Sequence, residues 1–535
     1  MRGPLAAVVV VAAIASAAPA RAYRFEVTAR TVTDLAQLPA LRLVGGELSL
    51  SRRRFHQDVA VTVWDVGDLA ARRAQRRPGA AATGPTVWFT GDLQLDHDFG
   101  AWTLGAVALD GGRDALDVIP ELRGEAVALT VPYGYLAVDG VGGRVDVRLG
   151  RLLRFDEFGG SGLDGVAARI RTAAPIAVEV EAGLRVRDRS PLAVLGSDLD
   201  GTAGVDCREY VEAPTPGQGS WQLIDRSRAP SGTRLGSDQA YCPERSTSQP
   251  TVEVAVTTDR LRWLDARLAY RRTQARTVGV IGAVDRLDVA DVGLYPNERG
   301  QAPAWGVTQE HLSASARATG RRGRLRYEPW GLVRYSLVHG AFERLGAGVQ
   351  VQRGAHQLEP TVARTRPSLD ADSIWSVFAI SPSLDVRLAY QYRVDAGRRL
   401  RAESWVRRYD SDGDLVAATA GGASLAGELA VTRRVRAAAE LVADDGYGGR
   451  RLGGTASARW QARRDLQVTG RAGLVAVAGS GPRTDGTTAS LAGGAAWQLD
   501  DGIALTAVAD VVTSPLSTLA VRTLAVLDLA FEPDF

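Results

Sequence analysis

The chain has 535 residues, 45% of them hydrophobic, with 59 Gly, one Met and a formal charge of +3. Without Arg2 and Arg21 the charge falls to about +1, a balance that gives no support to nucleic-acid binding. There is no Lys and a single Asn, Asn297, so the excess of Arg reads first as codon usage and only second as chemistry.

Arg2 precedes an apolar stretch from Leu5 to Ala18, and Ala20-Arg21-Ala22 follows. A basic start, a short apolar core and small residues at a cut define a secretory signal peptide over 1–22, with Tyr23 as the first mature residue. The apolar stretch is shorter than the roughly 20 residues of a membrane helix, and no Cys follows the cut to carry a lipid. No later run is apolar enough for a membrane helix. That leaves barrel strands open, because they alternate lipid-facing with lumen-facing residues and keep a modest mean hydropathy.

Period two then dominates. Phe55 to Val63 alternates, while Asp68 to Gly84 predicts a short periplasmic helix or a loose turn. Val87, Phe89, Gly91, Leu93 and Leu95 oppose Trp88, Thr90, Asp92, Gln94 and Asp96. In 176–187, Ile176, Val178, Val180, Ala182, Leu184 and Val186 form one face, with Glu179, Glu181, Arg185 and Arg187 on the other. In 384–393, Leu384, Val386, Leu388, Tyr390 and Tyr392 oppose Asp385, Arg387 and Arg393. Successive side chains of a strand point to opposite faces. Weaker windows recur at 144–153, 164–171, 252–257, 264–271, 466–474, 489–499 and 503–510. Strands of this length cross a membrane at a barrel tilt and exceed the usual soluble strand.

The connections are an independent test. Counting back from a final strand at 519–531 that ends in the periplasm, the long connections 188–250, 276–304, 363–382 and 410–420 fall outside. The short ones, 172–175, 258–263, 319–323, 395–398, 461–465 and 500–502, fall inside. Short periplasmic turns and long external loops mark an outer-membrane barrel. The expected fold is therefore all-β: a single transmembrane antiparallel up-and-down barrel over 23–535, with an even number of strands, roughly 18 to 22. Cys207 and Cys242 both fall in the external loop 188–250, and an even count in an exported chain predicts a disulfide between them. Such a loop, or 363–382 with Asp370, Asp372, Trp375 and Phe378, is long enough to fold inward and narrow the mouth.

Val521, Thr523, Ala525, Leu527, Leu529 and Phe531 form the last alternating face, with Phe535 in phase at the end and Pro533 a departure. This segment resembles the terminal signal of outer-membrane proteins, which implies recognition by the barrel assembly machinery. Leu149-Gly150-Arg151 followed by Leu163-Asp164-Gly165-Val166 is similar to a Gly-Arg-Gln then Phe-Asp-Gly-Val hairpin of substrate-specific porins and alginate-export barrels, with Leu152 in place of Gln and Leu163 in place of Phe. The resemblance covers one hairpin and implies porin-like architecture in the outer membrane of a Gram-negative bacterium, among lipid and lipopolysaccharide.

The phase of the strands predicts a charged lumen. It would carry Arg148, Arg169, Arg171, Glu179, Glu181, Arg185, Arg187, Asp265, Arg267 and Arg271 in the first half, and Asp385, Arg387, Arg393, Glu428, Arg436 and Glu440 in the second. Each charge alone is better explained by a cross-strand pair; only the set argues for a wet interior, since burying it dry would be costly. Asp410, Asp412 and Asp414 resemble the start of a calcium loop without its closing Glu. None of His56, His97, His311, His339 and His356 sits in a hydrolase-like Ser/His/Asn context, so no enzyme and no cofactor is expected. The leading expectation is a porin-like channel for small hydrophilic solutes. A polysaccharide-export conduit working with a periplasmic partner, using Trp88, Trp405 and Tyr409, and a structural or adhesive barrel are the alternatives. An energy-coupled receptor would need a plug domain ahead of strands that here begin almost at once.

Overall fold

The computed structural model describes residues 24–39, 49–66, 85–98, 127–186, 208–212, 221–225, 249–277, 304–366, 382–410, 419–446, 449–479, 485–515 and 517–531. The expected signal peptide, Arg187, both cysteines, Asp412, Asp414, Phe535 and segment 68–84 lie outside the described residues.

The first strands are β1 (Arg24–Pro39), β2 (Ser49–Trp64), β3 (Thr86–Asp98), β4 (Val127–Val141), β5 (Val145–Asp156), β6 (Gly159–Arg171) and β7 (Ile176–Val186). Two short strands, β8 (Arg208–Glu212) and β9 (Trp221–Asp225), pair only with each other. Then come β10 (Pro250–Thr258), β11 (Leu264–Thr277), β12 (Ala304–Ala318), its continuation β13 (Gly320–Arg322), β14 (Leu325–Ser336), β15 (Ala341–Arg353), β16 (His356–Thr365) and β17 (Ser383–Asp395). The last are β18 (Arg398–Tyr409), β19 (Thr419–Ala430), β20 (Val435–Gly446), β21 (Gly449–Gln461), β22 (Leu466–Ala478), β23 (Gly486–Asp500), β24 (Ile503–Ser514) and β25 (Ser517–Phe531).

Each strand pairs antiparallel with its neighbour in chain order, β7 with β10 across the β8–β9 insertion, and β25 closes on β1 from Val27↔Phe531 to Gln37↔Val521. With β12 and β13 counted as one crossing, this is a closed barrel of 22 strands. Closure leaves no edge unpaired, which a sheet in hydrocarbon requires. Antiparallel alternation puts connections 99–126, 187–249, 278–303 and 366–382 at one end and the short turns at the other, the sidedness expected of a barrel with periplasmic turns. The connection 65–85 is long on the short-turn side, and the β5–β6, β14–β15, β20–β21 and β24–β25 connections are short on the other. Several expected bounds shift: Pro250 already belongs to β10, Arg276 to β11, Ala304 to β12, Ala363 to β16 and Thr419 to β19, and most of 319–323 is strand β13.

The outward face is apolar and exposed around the ring, for example Leu149, Val180, Val254, Leu268, Val386, Leu441, Leu474 and Leu491. At the short-turn end this face carries exposed Trp263, Trp460 and Trp497, and His356 stacks on Tyr392 at 4.7 Å between ring centres. An apolar band bounded by aromatic residues is what a bilayer selects.

Candidate channel lumen

The inner face is built by the residues that alternate with that band. On β5 and β6 the two halves of the hairpin motif lie opposite one another: Leu149↔Val166, Gly150↔Gly165, Arg151↔Asp164 and Leu152↔Leu163. Gly165 also faces Gly183 on β7, so three glycines form a row across three strands. A Cβ on Gly165 would lie 2.2 Å from the Ala182 carbonyl oxygen, and one on Gly183 would lie 2.4 Å from that of Asp164. Only glycine permits so close an approach.

Near this row β5 parts from β4, while β6 keeps its ladder with β7 as far as Gly162↔Val186. The last pair of β5 with β4 is Arg151 with Gly134, whereas β4 continues its ladder with β3 to Val127. Arg151 holds the corner, binding Asp164 through Nε and Nη2 at 2.6 and 2.7 Å and donating Nη1 to the Val131 carbonyl at 2.9 Å. Beyond it the tip lies against the inner faces of β7 to β14. Arg154 pairs with Glu181 and stands 3.7 Å from Glu179. Asp156 accepts from Arg271 at 2.5 Å. Glu157 accepts from Arg267 at 2.5 Å and from Ser315 at 2.8 Å, and its carbonyl accepts from Arg334 on β14 at 3.3 Å. The Phe158 ring packs under the Arg271 guanidinium at 4.5 Å. β14 is five strand spacings from β6, about 24 Å along the wall. A hairpin lying in the wall could not reach it; a tip folded into the barrel can.

Beneath the tip the charges are buried and mutually paired. Glu253, 3% exposed, accepts from Arg267 at 2.6 Å and from Arg271 at 2.8 Å. Glu343, at a bulge of β15, pairs with Arg334 at 2.8 Å and His311 at 3.0 Å. Arg169 bridges Glu179 and Asp259, both at 3.4 Å. Ala177, Ala255, Ala269, Thr273, Ser313 and Ser336 fill the remaining cover. On the tip itself Phe155 is 81% exposed.

From β17 round to β3 no such cover exists among the described residues, and the inner face is a ladder of partly solvated pairs. Arg407 binds Asp385 at 2.6 and 3.0 Å, Glu403 pairs with Arg387 at 3.1 Å and Arg401 at 2.8 Å, and Arg399 pairs with Glu428 at 2.8 Å. Arg522 binds Asp34 at 2.9 Å and Arg30 binds Asp528 at 2.6 Å. His56 stands between Asp58 and Asp96 at 2.8 and 3.2 Å, with Arg54 also on Asp96. Near the short-turn end a recess of about 810 Å³ is lined by Arg393, Arg399, Glu428, Arg436, Arg459 and Arg471. Arg436 and Arg459 are direct cross-strand partners.

Of the residues the sequence singled out, Glu179, Glu181, Arg169, Arg267 and Arg271 meet in the covered cluster. Asp385, Arg387, Arg393, Glu428, Arg436 and Glu440 lie on the inward phase of the open wall, and Asp265 and Arg185 lie on the inward phase of β11 and β7. Arg148 lies 5.7 Å over the Tyr135 ring and Arg171 pairs with Asp146. Trp405 and Tyr409 flank Arg407, each 5.9 Å from its guanidinium, and Trp88 donates to Asp139 at 2.6 Å. Asp410 accepts from Arg364 at 3.1 Å, and no carboxylate and histidine group fit to hold a metal occurs among the described residues. The tip residues Arg154, Asp156, Glu157 and Phe158, and the buried carboxylates Glu253 and Glu343, escaped sequence reasoning. The facing glycines 150, 165 and 183 were the signal that could have found the bend.

No protein-family model matches the chain, and no curated protein matches it by sequence. Solved structures do match. OccK5 (OpdH) of Pseudomonas aeruginosa is 7% identical over 96% of this chain and 99% of its own, with a TM-score of 0.37. OccAB4 of Acinetobacter baumannii is 7% identical over 96% and 98%, with a TM-score of 0.38. A mutant of the ferric enterobactin receptor of Pseudomonas aeruginosa is 9% identical over 94% and 80%, with a TM-score of 0.50. At this identity the last likeness is one of fold, and it agrees with the closed barrel described above.

Proposed function

We propose that this chain is an outer-membrane channel for small hydrophilic solutes, with the inward-folded β5–β6 tip as its constriction. The observation that carries the reading is the unequal cover of the inner face. Charges beneath the tip are buried and neutralised, while those from β17 to β25 have no protein opposite them among the described residues. Uncovered charges of this density need water, and a water-filled barrel whose width is set by one hairpin is a channel. Charges along the wall then select solutes by sign. Export through the expected signal over 1–22 and insertion guided by Phe531 and Phe535 complete the reading.

The test is single-channel recording of the full-length protein in planar bilayers, with Arg436→Glu plus Arg459→Glu alongside. Discrete conductance steps are expected, with a reversal potential in a salt gradient that moves toward cation preference in the variant. Silence from a folded, heat-modifiable, inserted protein would overturn the open-channel reading.

A further inference from the structure

At the short-turn end, four of the six turns from β10 round to β22 carry or border arginines without a strand-end carboxylate of their own to match each of them. Arg260 and Arg262 lie between β10 and β11, and Arg322 and Arg324 flank the turn into β14. Arg433 and Arg434 lie in the β19–β20 turn, and Arg463 and Arg464 in the β21–β22 turn. All are exposed. The carboxylates of these turns are spoken for: Asp259 pairs with Arg169 and Arg260, each at 3.4 Å, and Asp465 accepts the Trp497 indole N–H at 2.9 Å. Apart from Arg260, these arginines have no ion pair among the described residues. The charge is uneven around this end: the β23–β24 turn carries Asp500 and Asp501 instead, 172–175 has no charge, the β4–β5 turn carries the single Arg144, and the sequence of the connection 65–85 contains Arg72, Arg73, Arg76 and Arg77.

The same turns hold the tryptophans that face the lipid. Trp263 directly follows Arg262 and is 59% exposed. Trp460, 51% exposed, pairs with Val435, the neighbour of Arg434. Trp497 is tied to Asp465, the neighbour of Arg464. Tryptophan settles at the boundary between hydrocarbon and headgroups. Arginines one to three residues further out sit about 3–10 Å beyond it at the rise of a strand, which is the plane of the lipid phosphates. Adjacent arginines repel one another unless an anion stands between them, and a guanidinium pairs two N–H groups with a phosphate.

We infer that the arc from β10 to β22 is a binding surface for anionic phospholipids of the inner leaflet, each phosphodiester taken by the arginines of one turn. An acidic periplasmic protein is the less fitting occupant, because the arginines are interleaved with lipid-facing tryptophans on turns too short to project. The inference rests on the barrel and its sidedness and does not depend on whether the lumen conducts.

The full-length protein is reconstituted in phosphatidylcholine vesicles containing trace spin-labelled phosphatidylglycerol or spin-labelled phosphatidylcholine, and the motionally restricted fraction is measured by electron paramagnetic resonance. Phosphatidylglycerol should associate about fivefold more strongly at low salt, and the preference should collapse in about 1 M NaCl, where the screening length is a few ångström. Arg433→Gln, Arg434→Gln, Arg463→Gln and Arg464→Gln together should reduce it below about twofold, while Arg144→Gln, outside the arc, should leave it intact. A wild-type ratio near one, or one insensitive to salt, overturns the inference and points to a protein partner; so does a quadruple variant that keeps the full preference. Should that variant fail to insert, the wild-type salt series decides alone.

Discussion

The wall from β7 to β15 and the wall from β17 to β25 are written in the same alphabet and live in different environments. Both alternate apolar residues outward with charged or small ones inward. In the first, the inward residues are sealed: Glu253 and Glu343 are 3% and 2% exposed, and Thr273 and Ser336 are fully buried. In the second, Ala420 is the one residue among those described that counts as buried. Alternation therefore decides which way a side chain points and leaves open what it meets. The difference is tertiary, made by a hairpin tip several of whose partners lie more than a hundred residues away in the sequence, as with Asp156 and Arg271.

Removing the cover is the most direct way to erase the contrast. Replacing residues 154–160 by a two-glycine turn should widen the lumen and raise single-channel conductance about twofold or more, since flow through a pore is set by its narrowest section. An unchanged conductance would mean that the constriction lies elsewhere, with the external connections as the next candidates. The variant should also make Glu253 and Arg267 respond to bulk salt, because water would then reach them.

This contrast also marks how far the sequence could be read. Strand phase, closure with an even strand number, and the sidedness of long and short connections follow from local rules, because a barrel in lipid must satisfy every backbone group and keep one face apolar. The inward phase of Asp385, Arg387, Glu428 and Arg436 followed with it. β1 and β4 were harder: β1 mixes Thr and Ala on its outward face, and β4 carries Pro132 and Gly134 at a bulge against β3. The division of inward charges into sealed and open was not legible, because 154–158 looks like any strand end and turn. The Leu-Gly-Arg and Leu-Asp-Gly-Val segments were noticed as a likeness; their physical content, a glycine row at a bend, needed the register.

The sealed cluster should respond strongly to truncation. Arg271→Ala removes the partner shared by Glu253 and Asp156 and the cation over Phe158. Asp156 then loses its cation while Glu253 keeps only Arg267, and leaving a buried carboxylate uncompensated costs about 3–5 kcal/mol, to be read as a lower temperature of the heat-modifiability transition. A loss under about 1 kcal/mol would show that water already reaches the cluster. The glycine row tests the same cover from its hinge. Gly183→Ala drives a methyl group into the Asp164 carbonyl, an overpacking cost of about 1–3 kcal/mol. It should also loosen the tip, raising conductance noise more than mean conductance.

The open wall supplies the smallest effect and the sharpest control. Arg387 pairs with Glu403 at 3.1 Å with about half of its side chain exposed, and Glu403 retains Arg401 at 2.8 Å when Arg387 is cut back. Its loss leaves no carboxylate alone, water solvates what remains, and exposed pairs contribute only about 0–1 kcal/mol. Arg387→Ala should therefore barely move the unfolding transition while it shifts the reversal potential by a few millivolts toward cations, the opposite weighting from Arg271→Ala. If the two substitutions cost the same stability, the two walls are equally wet, and the tip is a surface ornament rather than a seal.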